Sequence, residues 1–185
     1  MTRRKVNVCS ARCSSCKHMK KTLLLLLVSA AFLLAGCIVT SVAPFYTEKD
    51  LVFEPALIGN WLNQKNAEEI WKFEKSSDLS YRFTLIEAQK ATVMEAHAFK
   101  LQGQLFVDLY SANPDYRVIP PHYLLKVTRL TQELRMSQLN HEWLKNLLAR
   151  EPLLLRHQLI QTGEKPEDGR VVLTADTLEL HGDLL

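Results

Sequence analysis

Beyond residue 37 the 185-residue chain has no cysteine; the four that it holds are Cys9, Cys13, Cys16 and Cys37. Everything after residue 37 is thereby barred from disulfides, from metal binding through sulfur and from thiol nucleophiles. Histidine offers no metal face either. His97, His122, His141, His157 and His181 stand apart, with neither a His-x-x-x-His nor a His-Glu-x-x-His spacing. There is no Gly-x-Ser-x-Gly elbow, no P-loop and no dinucleotide fingerprint, and the serines after residue 37 lie in turns or polar stretches without a base beside them. No repeat of fixed period and no low-complexity tract occurs there. These absences leave no catalytic residue, metal site or bound cofactor to nominate and lean against an enzyme. With 47% hydrophobic and 23% charged residues the chain has the composition of one ordinary globular core held by packing alone.

Charge and apolar residues are unevenly placed. Arg3, Arg4, Lys5, Arg12, Lys17, Lys20 and Lys21 precede residue 22 with no acid among them. Taking these seven from the 23 Lys and Arg leaves 16 against 20 Asp and Glu, so residues 37–185 carry −4 although the whole chain carries +3. That weak acidity argues against nucleic acid or anionic lipid as a charge-driven partner. Residues 22–36, from Thr22 through the run Leu23 to Leu27 and on to Gly36, carry no charge and end in small residues. A spanning helix needs about 20 apolar residues, so a basic start followed by this shorter stretch has the order of a cleavable signal peptide, with a retained anchor helix as the alternative.

The end of that stretch, Leu34-Ala35-Gly36-Cys37, resembles the lipobox of bacterial lipoproteins. The resemblance implies a thioether-linked lipid on Cys37, cleavage by signal peptidase II just before it, Leu34 as the apolar recognition position and Ala35 and Gly36 as the small ones. It implies a bacterial cell membrane as the location, and Ile38, standing where Asp would favour inner-membrane retention, leans towards the outer membrane. Several acyl chains at about 0.8 kcal/mol per buried methylene make such an anchor nearly permanent. Residues 1–36 are then the signal peptide and 37–55 the lipidated cysteine with a tether, leaving 56–185 as the globular domain. Met19-Lys20-Lys21 alone would begin a signal peptide, so 1–18 read as an over-extended start. Cys9, Cys13 and Cys16 have the spacing of the cluster ligands in radical S-adenosylmethionine enzymes. They lie upstream of that start, and nothing after residue 37 offers the large α/β barrel which that family needs.

Alternation marks the rest of the chain. Trp71 and Phe73 oppose Lys72 and Glu74; Tyr81, Phe83 and Leu85 oppose Arg82 and Thr84 across a Ser76-Ser77-Asp78 turn. Strands over 91–101 and 104–110 meet at Gln102-Gly103, with Leu105, Val107 and Leu109 on one face and Phe106, Asp108 and Tyr110 on the other. Asn113-Pro114 and Pro120-Pro121 interrupt this meander. Strands are expected again over 123–131, 133–139 and 170–174. Between them a helix over 140–150 is predicted with Asn140 as N-cap, Pro152 as its stop, and Trp143, Leu144, Leu147 and Leu148 on one face. A second short helix capped by Thr174 is expected over 175–185.

The fold class expected is mainly β: a small antiparallel up-and-down sheet or lipocalin-like barrel with one or two short C-terminal helices, since closure removes sheet edges. Gly59-Asn60-Trp61 resembles the Gly-x-Trp motif of lipocalins, which implies a Trp packed across one end of a barrel. Trp71, Phe73, Tyr81, Phe83 and Phe99, with Met94, Phe106 and Tyr123, would line whatever space the sheet encloses. Glu95 and His97 share a strand face with Asp108 on the next strand, which reads either as a polar constellation inside a barrel or as a solvated hairpin face. Three roles stay open: a non-enzymatic domain that binds a small apolar ligand or an envelope protein, an enzyme or enzyme subunit with a hidden site, and a structural or assembly lipoprotein.

Overall fold

The computed structural model describes residues 39–63, 66–112, 117, 119–161 and 169–183. Leu34 to Cys37, the three upstream cysteines and Asn113-Pro114 lie outside the described residues.

Seven strands follow one another in a single antiparallel meander, β2 (Gly59–Asn63), β3 (Asn66–Lys75), β4 (Tyr81–Glu87), β5 (Lys90–Leu101), β6 (Gln104–Ser111), β7 (Tyr123–Leu130) and β8 (Leu134–Gln138), and curl into a nearly closed barrel-like sheet. The period-2 pattern sets the registers. Phe73 pairs with Phe83 and Trp71 with Leu85, so all four side chains share the concave face, while Lys72 and Glu74 form an ion pair of 2.8 Å on the other. Gln102 and Gly103 turn the β5–β6 hairpin at φ 49° and 79°, a two-residue loop whose left-handed geometry suits the strand twist. Ala88 and Gln89 adopt the same geometry between β4 and β5, at φ 47° and 64°, without Gly or Asn.

A three-stranded sheet and two helices cover one outer wall of this meander. β1 (Thr40–Ser41) pairs in parallel with β10 (Gly169–Leu173), which pairs antiparallel with β9 (His157–Gln161). α1 (His141–Arg150) starts where Asn140 Oδ1 accepts the Trp143 N–H at 2.9 Å. Its buried stripe is His141, Leu144 and Leu148, at i, i+3 and i+7; Trp143 is 47% exposed and does not belong to it. α2 (Thr177–Asp183) is capped by Asp176, whose Oδ1 accepts from Leu178 and Glu179 at 3.1 Å each, in place of the expected Thr174.

Two apolar cores result. Leu57, Phe73, Tyr81, Phe83, Ala96, Ala98, Val107, Leu109, Leu125 and Val127 fill the inside of the meander. Phe99, Phe106 and Leu124, on the opposite faces of β5, β6 and β7, pack with Val39, Phe45, Leu144, Leu148, Leu155, Val171, Leu173 and Leu180 in the second layer. The segment expected to act as a tether is therefore part of the fold from Val39 onward. Thr40 and Ser41 are buried in β1, and Ser41 exchanges backbone hydrogen bonds of 3.1 and 2.8 Å with His122. Further along, the Val52 N–H donates to the Ala98 carbonyl at 2.9 Å. Among the described residues no helix is long and apolar enough to cross a membrane.

Candidate functional site

The meander stops one step short of a ring. β2 stands at one end of the sheet and β8 at the other, with no ladder joining them among the described residues. Between them lies a cleft of about 780 Å³. Asn60, Trp61, Leu62 and Asn63 of β2 with Glu69 and Trp71 of β3 form one wall; Thr128, Gln132, Glu133, Leu134, Arg135 and Met136 form the other. Pleating sorts these side chains by face. Trp61 and Trp71 are directly opposed across the β2–β3 ladder and, with Leu134 and Met136, pack on the inner core, whereas Leu62 is 68% exposed. Both walls carry a register irregularity, at Leu62/Asn63 and at Val127/Arg129, which bends each strand beside the opening.

Polar groups at the cleft are held in place. The Trp61 indole N–H donates to the Leu57 carbonyl at 2.9 Å. The Trp71 indole donates to Glu69 Oε1 at 2.6 Å, and Asn63 Nδ2 donates to Glu69 Oε2 at 2.7 Å, so one carboxylate locks the aromatic wall. Across the gap Glu133 accepts from Arg135 Nε at 2.6 Å and from Arg129 at 3.0 Å. The Arg135 hydrogen bond, followed by that of Arg129, holds the Glu133 carboxyl below its usual range. Both carboxylates are committed to neighbours and no nucleophile–base pair is formed between the walls. Such a site offers apolar and stacking contacts inside and fixed polar groups at the rim, the composition of a binding cleft.

Of the residues expected to line an enclosed space, Trp71 reaches this cleft. Phe73, Tyr81 and Phe83 are packed core, with Tyr81 fully buried against Phe53 at 5.1 Å and donating its hydroxyl to the Glu54 carbonyl at 3.2 Å. Met94 and Tyr123 border the same inner core. Phe99 and Phe106 face away from it and belong to the outer core, stacked on each other at 5.4 Å. Sequence reasoning missed Asn60, Glu69, Leu134 and Met136, because nothing local announces that β2 and β8 will face each other.

The Glu95–His97–Asp108 constellation is neither inside the barrel nor on a solvated face. It lies on the outer wall beneath the N-terminal segment. Asp108 is fully buried; its Oδ2 accepts the Phe45 N–H at 2.8 Å, and its Oδ1 lies 2.8 Å from His122 Nδ1. His97 is sandwiched between Tyr46 at 4.9 Å and Tyr110 at 5.8 Å, and Tyr110 packs on His122 at 5.1 Å. Burial pushes the His97 pKa down, and it pushes the Tyr46 and Tyr110 hydroxyls up, assisted by the negative charge of Asp108 and Glu95. With both Asp108 oxygens occupied, one by the Phe45 N–H and one by His122, this cluster fastens one layer to the other.

Compared with protein-family models, curated proteins and solved structures, the chain matches none.

Proposed function

We propose that this protein is a bacterial lipoprotein of the cell envelope, anchored through lipid on Cys37, whose β domain binds a ligand or partner without catalysing a reaction. Support for the anchor is the order of basic residues, apolar stretch and Leu34-Ala35-Gly36-Cys37, with Ile38 favouring the outer membrane. Only Ile38 separates Cys37 from Val39, whose side chain is already in the core, so the anchor leads into the fold without a spacer.

The observation that carries the binding role is the 780 Å³ cleft between the first and last strands of the meander, with Trp61 and Trp71 fixed by their own hydrogen bonds. Rigid aromatic walls and already satisfied carboxylates suit recognition, because nothing has to be ordered when a ligand arrives. Two experiments test the two halves. Mass spectrometry of the protein from native membranes should find an N-terminal peptide beginning at lipid-modified Cys37, and a chain retaining residues 1–36 overturns the anchor. Tryptophan emission should shift on titration with a fluorescent long-chain fatty acid or with peptides, and the shift should persist in Trp143→Phe, whose indole is no part of the cleft walls. A spectrum unmoved by every probe class overturns the binding role.

A further inference from the structure

Six successive antiparallel ladders join β2 to β8, so these two strands run in the same direction. An up-and-down barrel closes with antiparallel neighbours throughout only when the strand count is even. Among the described residues seven strands leave the ring one short, and the place left over fits a strand running opposite to both edges. From this geometry we infer that the cleft receives an extended segment of a partner protein, which enters as an eighth strand and pairs with β2 on one side and β8 on the other.

Size and pattern agree with that occupant. β2 and β8 are each five residues long. A five-residue strand is about 17 Å long, the length both edges offer, and the cleft of about 780 Å³ lies between them. Trp61, Trp71, Leu134 and Met136 present an apolar inner wall, while Leu62 and Arg135 stand outside. The entering segment is therefore one whose residues alternate, apolar inward and polar outward. A small apolar ligand would use the inner wall without adding a strand to either edge, which disfavours it as occupant.

The inference rests on the cleft being a binding site, and the experiment separates the two ideas. A displayed library of peptides of about nine residues is selected against the full lipidated protein in detergent, and a fluorescent long-chain fatty acid is titrated in parallel. Enriched peptides should alternate apolar and polar residues and should protect the amides of both β2 and β8 from hydrogen exchange. Successive N–H groups of an extended strand point to opposite neighbours. N-methylation of the odd-numbered and of the even-numbered amides should therefore each weaken binding by at least about tenfold. Sensitivity to one set alone would mean pairing with a single edge and would overturn the eighth-strand geometry. Fatty-acid binding without peptide enrichment would overturn the peptide and keep the binding role; failure of both probes would remove both ideas. Protection of the two edges that grows with protein concentration in the absence of peptide would assign the seam to a second copy of this chain and likewise overturn the inference.

Discussion

Removing the Asp108 carboxylate tests how the two layers are joined. In Asp108→Ala the Phe45 N–H and the His122 ring lose their partner in a place where the aspartate itself is 0% exposed. A hydrogen bond to a charged group contributes about 1.5–3 kcal/mol net, and a buried donor left without an acceptor costs about 1–3 kcal/mol. Two such hydrogen bonds together come to about 3–6 kcal/mol, a large part of the 5–15 kcal/mol that typically stabilises a domain. Asp108→Asn keeps one acceptor and the side-chain volume, so its loss should be about half as large. Urea unfolding of the full chain, followed by tryptophan emission, should move its midpoint down by about 2 M for the alanine variant, given a slope of about 1–3 kcal/mol per molar. Hydrogen exchange should also find the Phe45 amide opening before the β5–β6 amides do. An Asp108→Ala protein within about 1 kcal/mol of the parent, or one whose Phe45 amide stays protected, would refute the assignment of this carboxylate as the fastener.

Four further outcomes are expected. Burial lowers the His97 pKa from its ordinary 6.5, so its contribution is fully present above that value and fades as the pH falls towards the native pKa. His97→Phe, which keeps a ring between Tyr46 and Tyr110, should flatten the fall of stability below about pH 6.5 in urea titrations at fixed pH steps. Tyr46, Tyr81 and Tyr110 are raised from 10.0, chiefly by burial. Stability from these three should hold up to about pH 10 and fall above it, with tyrosinate absorbance rising together with loss of tertiary signal rather than ahead of it. Ala88→Asn with Gln89→Gly relieves two left-handed residues in the β4–β5 turn and should stabilise by about 1 kcal/mol, seen as a rise in Tm of a few degrees; no gain would mean the turn geometry is wrong. Cys37→Ser should leave an uncleaved or released protein in membrane fractionation, and unchanged membrane-bound mature protein would count against lipidation.

Hairpins were the legible part of the fold. Trp71/Phe73 against Lys72/Glu74 and the Gln102-Gly103 turn carry local signals, and the registers follow them. In the small sheet the strand expected over 170–174 is found as β10, but its pairing was not legible, because Thr40 pairs with Val172 across most of the chain and β1 is two residues long, too short for a pattern. Alternation also cannot distinguish inside from outside once both faces of a strand are buried. On β5 the inner face holds the small Ala96 and Ala98, while the large Phe99 points to the outer core. Choosing the bulkier face as the interior therefore misplaces Phe99 and Phe106. The same double burial explains Asp108: a carboxylate among apolar neighbours on an outer wall looks solvated until the N-terminal segment is laid across it.

The cleft depends on something coarser than any motif, the parity of the strand count. Eight strands could have closed on themselves and spent Trp61, Trp71, Leu134 and Met136 as core. With seven, those side chains remain half covered at a gap whose two edges run the same way. Parity is set by whether Gly59 to Asn63 forms a strand at all, and that segment is weakly marked, with Gly59 at φ 142° and Leu62 turned to solvent. It earns its place in the sheet mainly through Trp61, which packs opposite Trp71 and donates to the Leu57 carbonyl. Trp61→Ala should consequently release β2 and widen the opening rather than merely lighten its wall. Hydrogen exchange would then show rapid exchange along Trp71 and Phe73 as well, where a role confined to ligand contact would leave the β3 amides protected.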